Sequence, residues 1–355
     1  MKSILKFLVI TIIAFMAAVF YSCTHKCNTK IKQISTIDST LQVNTTSILE
    51  NKLSEINAQS GQVIIMEVQS GHIKALVGLT KKDSTDYQSC ENFSVWQSTG
   101  LMHPISLLTA LETGKVKLSD RVDTGNGIYQ VHGSELKDHN WYRGGYGELT
   151  VQEGLTVSSN IAIYKTMEKA FGDNPHTFFD LLANMSYGKP DSINGIASLQ
   201  PYKITEKNIP WNCIGYEQLI SPIQVLTFYN AIANNGKMIQ PQLYKDSVVV
   251  INPQIATRAS IDSLKKALVL NITDGLGQPA KSDKVVVAGM QGASSLSTSE
   301  DSTKDMYAVE FCGYFPADNP KYSIIVSINK TGLPASGGLM AGDVFKKIII
   351  NLEQN

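Results

Sequence analysis

A proline-led apolar stretch within residues 96–115 constrains the fold of this chain more than any other segment. Pro104 fixes a backbone angle that suits the first turn of a helix, and Gly114 readily ends one. We therefore predict that a helix starts at this proline, which places His103 at its N-terminus. The apolar residues between these limits fall on one face of such a helix: Ile105, Leu107, Leu108 and Leu111.

Composition sets the broad class of the protein. The chain has 355 residues, of which 43% are hydrophobic, so it can bury a substantial core as one large domain or two subdomains. Its 31 lysines and arginines balance its 31 aspartates and glutamates, which leaves no long-range field to gather a polyanion, and we exclude nucleic acid as a partner. No spacing of cysteine and histidine is typical of a metal site, and we expect neither a metal nor a cofactor.

The N-terminus predicts export. Lys2 and Lys6 precede an apolar run from Phe7 to Tyr21, which has about the length of a signal-peptide core and is short for a membrane-spanning helix. The run ends at Ser22-Cys23, which resembles a relaxed bacterial lipobox with a lipidated cysteine. We predict that residues 1–23 are a signal peptide and that Cys23 anchors an exported lipoprotein in the bacterial cell envelope, facing the periplasm. An uncleaved membrane anchor is the alternative.

A polar segment follows the predicted signal peptide. Residues 24–57 are assigned to a tether, because residues 24–48 are rich in Thr, Ser, Lys, Asn and Gln, with a short helix at 48–56. A disulfide among the other cysteines stays open. Cys213 and Cys312 lie in apolar surroundings typical of core residues.

Local patterns predict both strands and helices in the rest of the chain. Two β-rich runs joined at Ser70-Gly71 predict a hairpin. Thr150 and Glu153 form a capping box that starts a helix, and Ser158-Ser159-Asn160 interrupts it by competing for backbone hydrogen bonds. The remaining predictions are helices over 161–170, within 172–190, and over 222–236, 262–272 and 344–352, and strands over 284–293, 305–313 and 321–329.

Two of these segments resemble motifs of the penicillin-binding transpeptidases and serine β-lactamases. The helix at Pro104 resembles the setting of the family's Ser-x-x-Lys motif, in which a proline follows the lysine. In this alignment Gly100 takes the position of the nucleophilic serine and His103 that of the lysine. Ser158 and Asn160 match the family's Ser-x-Asn element, in which the serine relays protons and the asparagine amide holds the substrate's peptide.

A third resemblance lies in the strand at 284–293, where the family carries Lys-Thr-Gly-Thr. This chain has Met290, Gln291 and Gly292 at the first three positions, so the glycine is present and the cation and hydroxyl are absent. The resemblance implies an α/β fold of the α+β type for residues 58–355. It would be a mostly antiparallel sheet flanked by helices, with a helical subdomain at about 100–235 and a cleft between the two.

The same resemblance implies a site that has lost acyl transfer. A serine nucleophile needs a base and oxyanion donors around it, and Gly100 has no oxygen. Ser98 and Thr99 would point elsewhere on a helical turn, His103 is interpreted as a structural histidine, and the Ser-x-Asn residues as helix caps. If the alignment is right, one small-ligand pocket brings together Gly100, His103, Ser158, Asn160, Gln291 and Gly292.

Three other segments spell parts of these motifs in an unsuitable context. They are Ser134 with Lys137, which no apolar helix follows; Ser263 with Lys266, which come after the Ser-x-Asn element; and Lys330-Thr331-Gly332, placed after the last strand. Such spacings are common on solvated surfaces and in turns. We predict that none of them is catalytic.

The expected protein is a catalytically inactive transpeptidase homologue, exported and membrane-attached, with a binding or scaffolding role in peptidoglycan assembly. Its partners would be a peptidoglycan stem peptide or cell-wall synthesis proteins, with the membrane reached through the N-terminus. Two alternatives stay open. One is an active penicillin-binding D,D-transpeptidase or acyltransferase with a non-standard nucleophile, and the other is a purely structural lipoprotein that uses no cleft.

Overall fold

The computed structural model describes residues 33–83, 86–90, 99–196, 199–205, 209–296 and 305–354. The chain divides into Met1–Ile34 and a compact unit, Ser35–Asn355, which contains all the elements named here. The predicted signal peptide and Cys23 lie outside the described residues. Within the described ranges, no helix has both the length and the apolar character needed to cross a membrane.

The described part of the compact unit contains fourteen strands and nine α-helices. The strands are Ser60–Glu67 (β1), Ile73–Lys81 (β2), Tyr87–Ser89 (β3), Arg121–Asp123 (β4), Ile128–Val131 (β5), Ser134–Lys137 (β6), Glu148–Thr150 (β7), Lys203–Ile204 (β8), Gln218–Leu219 (β9), Met238–Ile239 (β10), Val250–Asn252 (β11), Ala288–Ser295 (β12), Met306–Phe315 (β13) and Tyr322–Thr331 (β14). The helices are Ser39–Glu55 (α1), Thr99–Glu112 (α2), Val151–Thr156 (α3), Asn160–Phe171 (α4), His176–Asn184 (α5), Ile209–Asn212 (α6), Pro222–Ala233 (α7), Arg258–Thr273 (α8) and Asp343–Gln354 (α9).

Six strands form one antiparallel sheet in the order β12-β13-β14-β1-β2-β3. The predicted turn at Ser70-Gly71 separates β1 from β2, and Gly71 has the positive φ of 75° that favours glycine. β1 then pairs with β14 from the far end of the chain, with Ser60 opposite Asn329. The predicted α+β fold with a mostly antiparallel sheet is confirmed.

Both faces of the sheet are covered, which explains the continuous apolar run Val63–Met66 in β1. Val63 and Ile65 pack in a core with α1 and α9, whereas Ile64 and Met66 pack in a second, larger core with helices between α2 and α8. Successive side chains of a strand point to opposite faces, so a strand that is buried on both sides shows a continuous apolar run.

Helix α1 corrects the predicted tether. Asp38 caps this helix, its carboxylate accepting a first-turn N–H at 3.0 Å. Leu49 and Leu53 are fully buried in the core that they share with β1, and Lys52 forms an ion pair with Asp343 of α9 at 2.7 Å. The polar composition was misleading because only every third or fourth residue of α1 faces the core.

Helix α2 begins earlier than predicted. Pro104 lies inside it, and His103 lies one turn beyond its start instead of at its N-terminus. Pro104 is the sixth residue of α2 and lies beyond the first turn, so the helix lacks the bond from position 104 to the Gly100 carbonyl. Ser98 lies outside the described residues.

Helix α7 holds α2 against the sheet. All of its residues are buried, and it starts at the predicted Ser221, which forms a capping box with Gln224. The Tyr229 hydroxyl donates to the carbonyl of Leu101 at 2.9 Å, and the Asn230 side chain accepts from a β14 serine hydroxyl at 2.7 Å. These bonds fix the start of α2 relative to the sheet.

Candidate functional site

A cavity of about 860 Å³ opens between β12, at one edge of the sheet, and the helices. Its walls come from the start of α2, the connection between α3 and α4, strand β12, and the segments 275–279 and 335–339. Met290 does not line it, because its side chain is fully buried in the larger core. The cavity brings together six positions singled out from the sequence: Gly100, His103, Ser158, Asn160, Gln291 and Gly292.

Sequence reasoning missed the rest of the cavity wall. His139 and Tyr216 add polar groups, and Leu276, Pro279 and Leu339 add apolar surface. No local motif marks these residues, because each reaches the cavity only through the long-range packing of its own segment.

His103 connects the two polar residues of the α3–α4 connection. Its Nε2 lies 3.1 Å from Oδ1 of Asn160, and its Nδ1 lies 3.2 Å from Oγ of Ser158. The Asn160 amide nitrogen donates to the carbonyl of Lys137 at 2.9 Å, which leaves its oxygen facing the imidazole. An amide oxygen only accepts, so the proton is on Nε2, and Nδ1 accepts from the Ser158 hydroxyl.

The imidazole of His103 is neutral near pH 7. Its side chain is 1% exposed, and burial lowers its pKa from 6.5 to about 4, which the hydrogen bond with Asn160 offsets only in part. Burial disfavours the charged form of any ionisable group. His103 is therefore a poor proton acceptor for a reaction at neutral pH, since a general base works best when its pKa is near the operating pH.

A buried carboxylate that sequence reasoning missed supports the α3–α4 connection. Asp138 accepts the Ser159 hydroxyl at 2.7 Å and the N–H of Ile161 at 3.0 Å, while Ser159 caps α4 through the N–H of Ala162. Burial raises the pKa of Asp138, and these hydrogen bonds oppose the shift. The connection is also constrained at Ser158, whose φ of 54° is rare for a residue with a side chain.

Three glycines bring backbone segments into close contact beside the cavity. A Cβ atom at Gly100 would lie 2.5 Å from the carbonyl oxygen of Gln291 and 2.6 Å from the Cα of Gly292. A Cβ atom at Gly337 would overlap the carbonyl oxygen of Gly292 and lie 2.5 Å from that of Glu310. The start of α2, β12 and segment 335–339 can approach this closely only because these positions carry no side chain.

A sequence profile of the penicillin-binding protein transpeptidase domain matches residues 61–350. The chain belongs to the penicillin-binding protein transpeptidase family. The suspected resemblance is thereby confirmed at the level of the family. The alignment of Gly100 and His103 with the catalytic serine and lysine of penicillin-binding transpeptidases stays a prediction.

Named relatives in this family are similar over most of the chain. Stage V sporulation protein D of Bacillus subtilis is 23% identical over 341 residues, which cover 88% of this chain and 52% of that protein. Peptidoglycan D,D-transpeptidase FtsI of Escherichia coli is 22% identical over 328 residues, which cover 87% of this chain and 53% of that protein. The chain thus spans about half the length of the curated relatives it matches.

Solved structures share the transpeptidase fold. The transpeptidase domain of penicillin-binding protein 3 from Burkholderia pseudomallei matches with a TM-score of 0.77 and 22% identity, covering 91% of this chain and 96% of that one. A peptidoglycan glycosyltransferase from Burkholderia ambifaria matches with a TM-score of 0.75 and 22% identity, over 90% and 96% of the two chains. At this identity the likeness concerns the fold.

Two of the partial transpeptidase motifs lie away from the cavity. Ser134 and Lys137 form the ends of β6, and the Lys137 ammonium is 2.7 Å from Glu135. The backbone carbonyl of Lys137 does reach the site, through its bond with Asn160. Ser263 lies on α8, where its hydroxyl donates to a carbonyl of the preceding turn at 2.8 Å.

The prediction that the third partial motif follows the last strand is wrong. Lys330 lies within β14 instead of after it, and its buried ammonium donates to the backbone carbonyls of Thr331, Gly332 and Pro334. It thereby holds the loop that leads to segment 335–339 of the cavity wall. Across the described ranges of this transpeptidase domain, no group of three His, Cys, Asp or Glu side chains is arranged to hold a metal ion.

Proposed function

We propose that this protein is a transpeptidase-family member that does not form an acyl-enzyme and instead binds a peptide reversibly in its cleft, as a scaffold in cell-wall assembly. The observation that carries the proposal is the backbone contact at Gly100. Acyl transfer requires a side-chain nucleophile beside donors for the oxyanion. At Gly100 the carbonyl of Gln291 and the Cα of Gly292 occupy the space that any side chain would need.

The cell-wall part of the proposal rests on the family. Relatives such as FtsI of Escherichia coli are named peptidoglycan D,D-transpeptidases. A protein that kept the fold of such an enzyme without its nucleophile could still recognise a peptide, because β12 is an edge strand and Asn160 lines the same cavity. Binding of a stem peptide or of a cell-wall synthesis protein is the role that we propose.

Attachment to the cell envelope is part of the same proposal. We expect metabolic labelling with palmitate, and we expect Cys23→Ala to abolish it, because Ser22-Cys23 ends a short apolar core. Cys27→Ala is the matched control and should keep the label. Labelling of the Cys23→Ala variant, or a mature N-terminus that retains residues 1–22, would contradict lipidation at this cysteine.

We expect no covalent adduct between the purified protein and a fluorescent penicillin, and no release of terminal D-alanine from a pentapeptide. The missing nucleophile alone should cost several orders of magnitude in rate, because catalytic groups act as a unit. Intact-mass spectrometry after prolonged incubation is the measurement, with an active penicillin-binding transpeptidase run in parallel. A stoichiometric mass increase that maps to any serine or threonine would overturn the inactive assignment.

A second candidate function follows from the bonds of His103. Ser158, His103 and Asn160 form a hydrogen-bonded series in which the imidazole accepts from a serine and donates to an amide, the order that a serine nucleophile with an oriented base requires. The pKa of about 4 argues against an effective base. An adduct that forms in the wild type and is lost in Ser158→Ala would establish this alternative and reject the non-acylating one.

A further inference from the structure

The cavity wall carries no formal charge at neutral pH among the residues that the structure describes. Its lining consists of glycine, alanine, serine, leucine and proline, together with one tyrosine, two histidines and three amide side chains. The amides are Asn160, Gln278 and Gln291. Burial lowers the pKa of both His103 and His139, so both are neutral at pH 7. A ligand that enters with a negative charge therefore meets no cation in this lining.

Among the residues that the structure describes, Arg143 and two lysines near the wall already have partners. The Arg143 guanidinium, whose charge acts on His139, lies 5.3 Å from the ring centre of Tyr142. The Lys137 ammonium lies 2.7 Å from a Glu135 carboxylate oxygen and 4.9 Å from the ring centre of Trp141. The Lys330 ammonium has three N–H donors, and the carbonyls of residues 331, 332 and 334 accept all three. Neither lysine can turn toward a ligand without losing these partners.

The start of α4 offers no anion site either. The N–H of Ile161 donates to Asp138, and the N–H of Ala162 donates to the Ser159 hydroxyl. Asp138 also places an acidic group directly behind the Ser158–Asn160 segment. A carboxylate in front of that segment would gain no free helix N–H and would face a second acid.

The remaining surface suits the backbone and apolar side chains of an extended chain. β12 is at the edge of the sheet, and its residues Gln291 and Gly292 line the cavity. An edge strand binds a peptide through main-chain hydrogen bonds and accommodates alternate side chains beside it. Leu276 and Leu339, which are 42% and 67% exposed, supply apolar surface at the same cavity.

We infer that the cleft holds an uncharged internal segment of an extended polypeptide and discriminates against a peptide that ends there in a free carboxylate. The inference rests on the proposed function, since it specifies the peptide that the cleft binds. The physical reason is that a carboxylate loses its hydration on entering the cleft and meets no cation in the described lining. A carboxamide carries no charge, so it loses less on leaving water.

The test compares two pools of eight-residue peptides with the same random composition of uncharged amino acids. One pool ends in a carboxamide and the other in a free carboxylate, and both are acetylated at the N-terminus. The full chain is incubated with an equal mixture of the pools, and retained peptides are quantified by affinity-selection mass spectrometry. We expect the amide pool to be enriched by about tenfold or more, which corresponds to about 1.4 kcal/mol.

A charge-adding variant locates the effect in the cleft. Ala293 is an exposed residue of β12 that lines the cavity, so Ala293→Lys supplies a cation at that wall. We expect this variant to raise the acid-to-amide ratio by about two- to fivefold. Ala293→Met is the matched control for added length, and its ratio should stay close to that of the wild type even if total binding falls.

The outcomes separate this inference from the proposed function. Equal or greater retention of the acid pool by the wild type would overturn the inference and leave peptide binding intact. An unchanged ratio in Ala293→Lys would show that discrimination arises elsewhere and would also overturn it. Retention of neither pool would contradict peptide binding itself, and with it both statements.

Discussion

Replacing Gly100 with serine is expected to lower the free energy of unfolding by about 3 kcal/mol and to leave the protein unreactive toward penicillin. The new Cβ would lie 2.5 Å from the Gln291 carbonyl oxygen and 2.6 Å from the Gly292 Cα. Overpacking a core costs about 1–3 kcal/mol, and the upper end applies here because both contacted atoms belong to the backbone and no rotamer change relieves them. Chemical denaturation measures the free energy of unfolding, and intact-mass spectrometry after incubation with penicillin measures the reactivity.

Two further variants test whether the backbone contact at Gly100 causes the expected loss of stability. Gly100→Ala introduces the same Cβ without the hydroxyl and should be destabilised almost as much as Gly100→Ser. Ala259→Ser, at an exposed position of α8, should change stability by less than about 0.5 kcal/mol. A Gly100→Ser protein that is as stable as the wild type and captures penicillin would contradict the interpretation that the backbone contact closes this position.

Acidification from pH 6.5 to pH 4 is expected to remove about 3 kcal/mol of stability through His103 alone. Burial holds the pKa of His103 at about 4 in the folded protein, against an ordinary value of 6.5. Between these values the unfolded chain binds the proton and the folded protein does not, so stability falls as the pH falls through this window and is fully present above it. The gap between 6.5 and about 4 corresponds to about 3 kcal/mol.

The measurement is urea unfolding at several pH values in parallel with His103→Gln. The variant has no titratable group at this position, so the difference in stability between wild type and variant should change by about 3 kcal/mol across the window. His176→Gln, at an exposed position of α5, serves as the control and should follow the wild type. A wild-type curve parallel to that of His103→Gln would mean that the imidazole is not held neutral by burial.

Features that depend on neighbouring residues could be predicted from the sequence. The turn at Ser70-Gly71 and the capping box of Thr150 with Glu153 formed as expected, because each involves groups only a few residues apart. Only the second half of helix α1 was predicted, and its first half was missed for the converse reason. Its burial depends on strands that lie elsewhere in the chain, and its own composition is mostly polar.

Six residues of the cavity wall were predicted from the sequence, but the distances between them were not. The family resemblance placed residues 100, 158 and 291 at one cleft, which local patterns alone could not do. Nothing in the sequence conveyed how closely Gly100 approaches Gln291, since that gap depends on how α7 and β14 position α2. Asp138 escaped notice because its role depends on Ser159 and Ile161, which lie beyond the intervening β7 and α3.

The pairing of Ser60 in β1 with Asn329 in β14 sets the order in which this protein can fold. The β1–β2 and β13–β14 hairpins can each form from adjacent segments, but the ladder that joins them must wait until nearly the whole chain is present. Non-local pairings of this kind form slowly, because the chain loses the conformational entropy of a long loop before the stabilising contacts between its ends are made. During synthesis the apolar run Val63–Met66 of β1 emerges first and stays without its β14 partner, a period in which aggregation competes with folding.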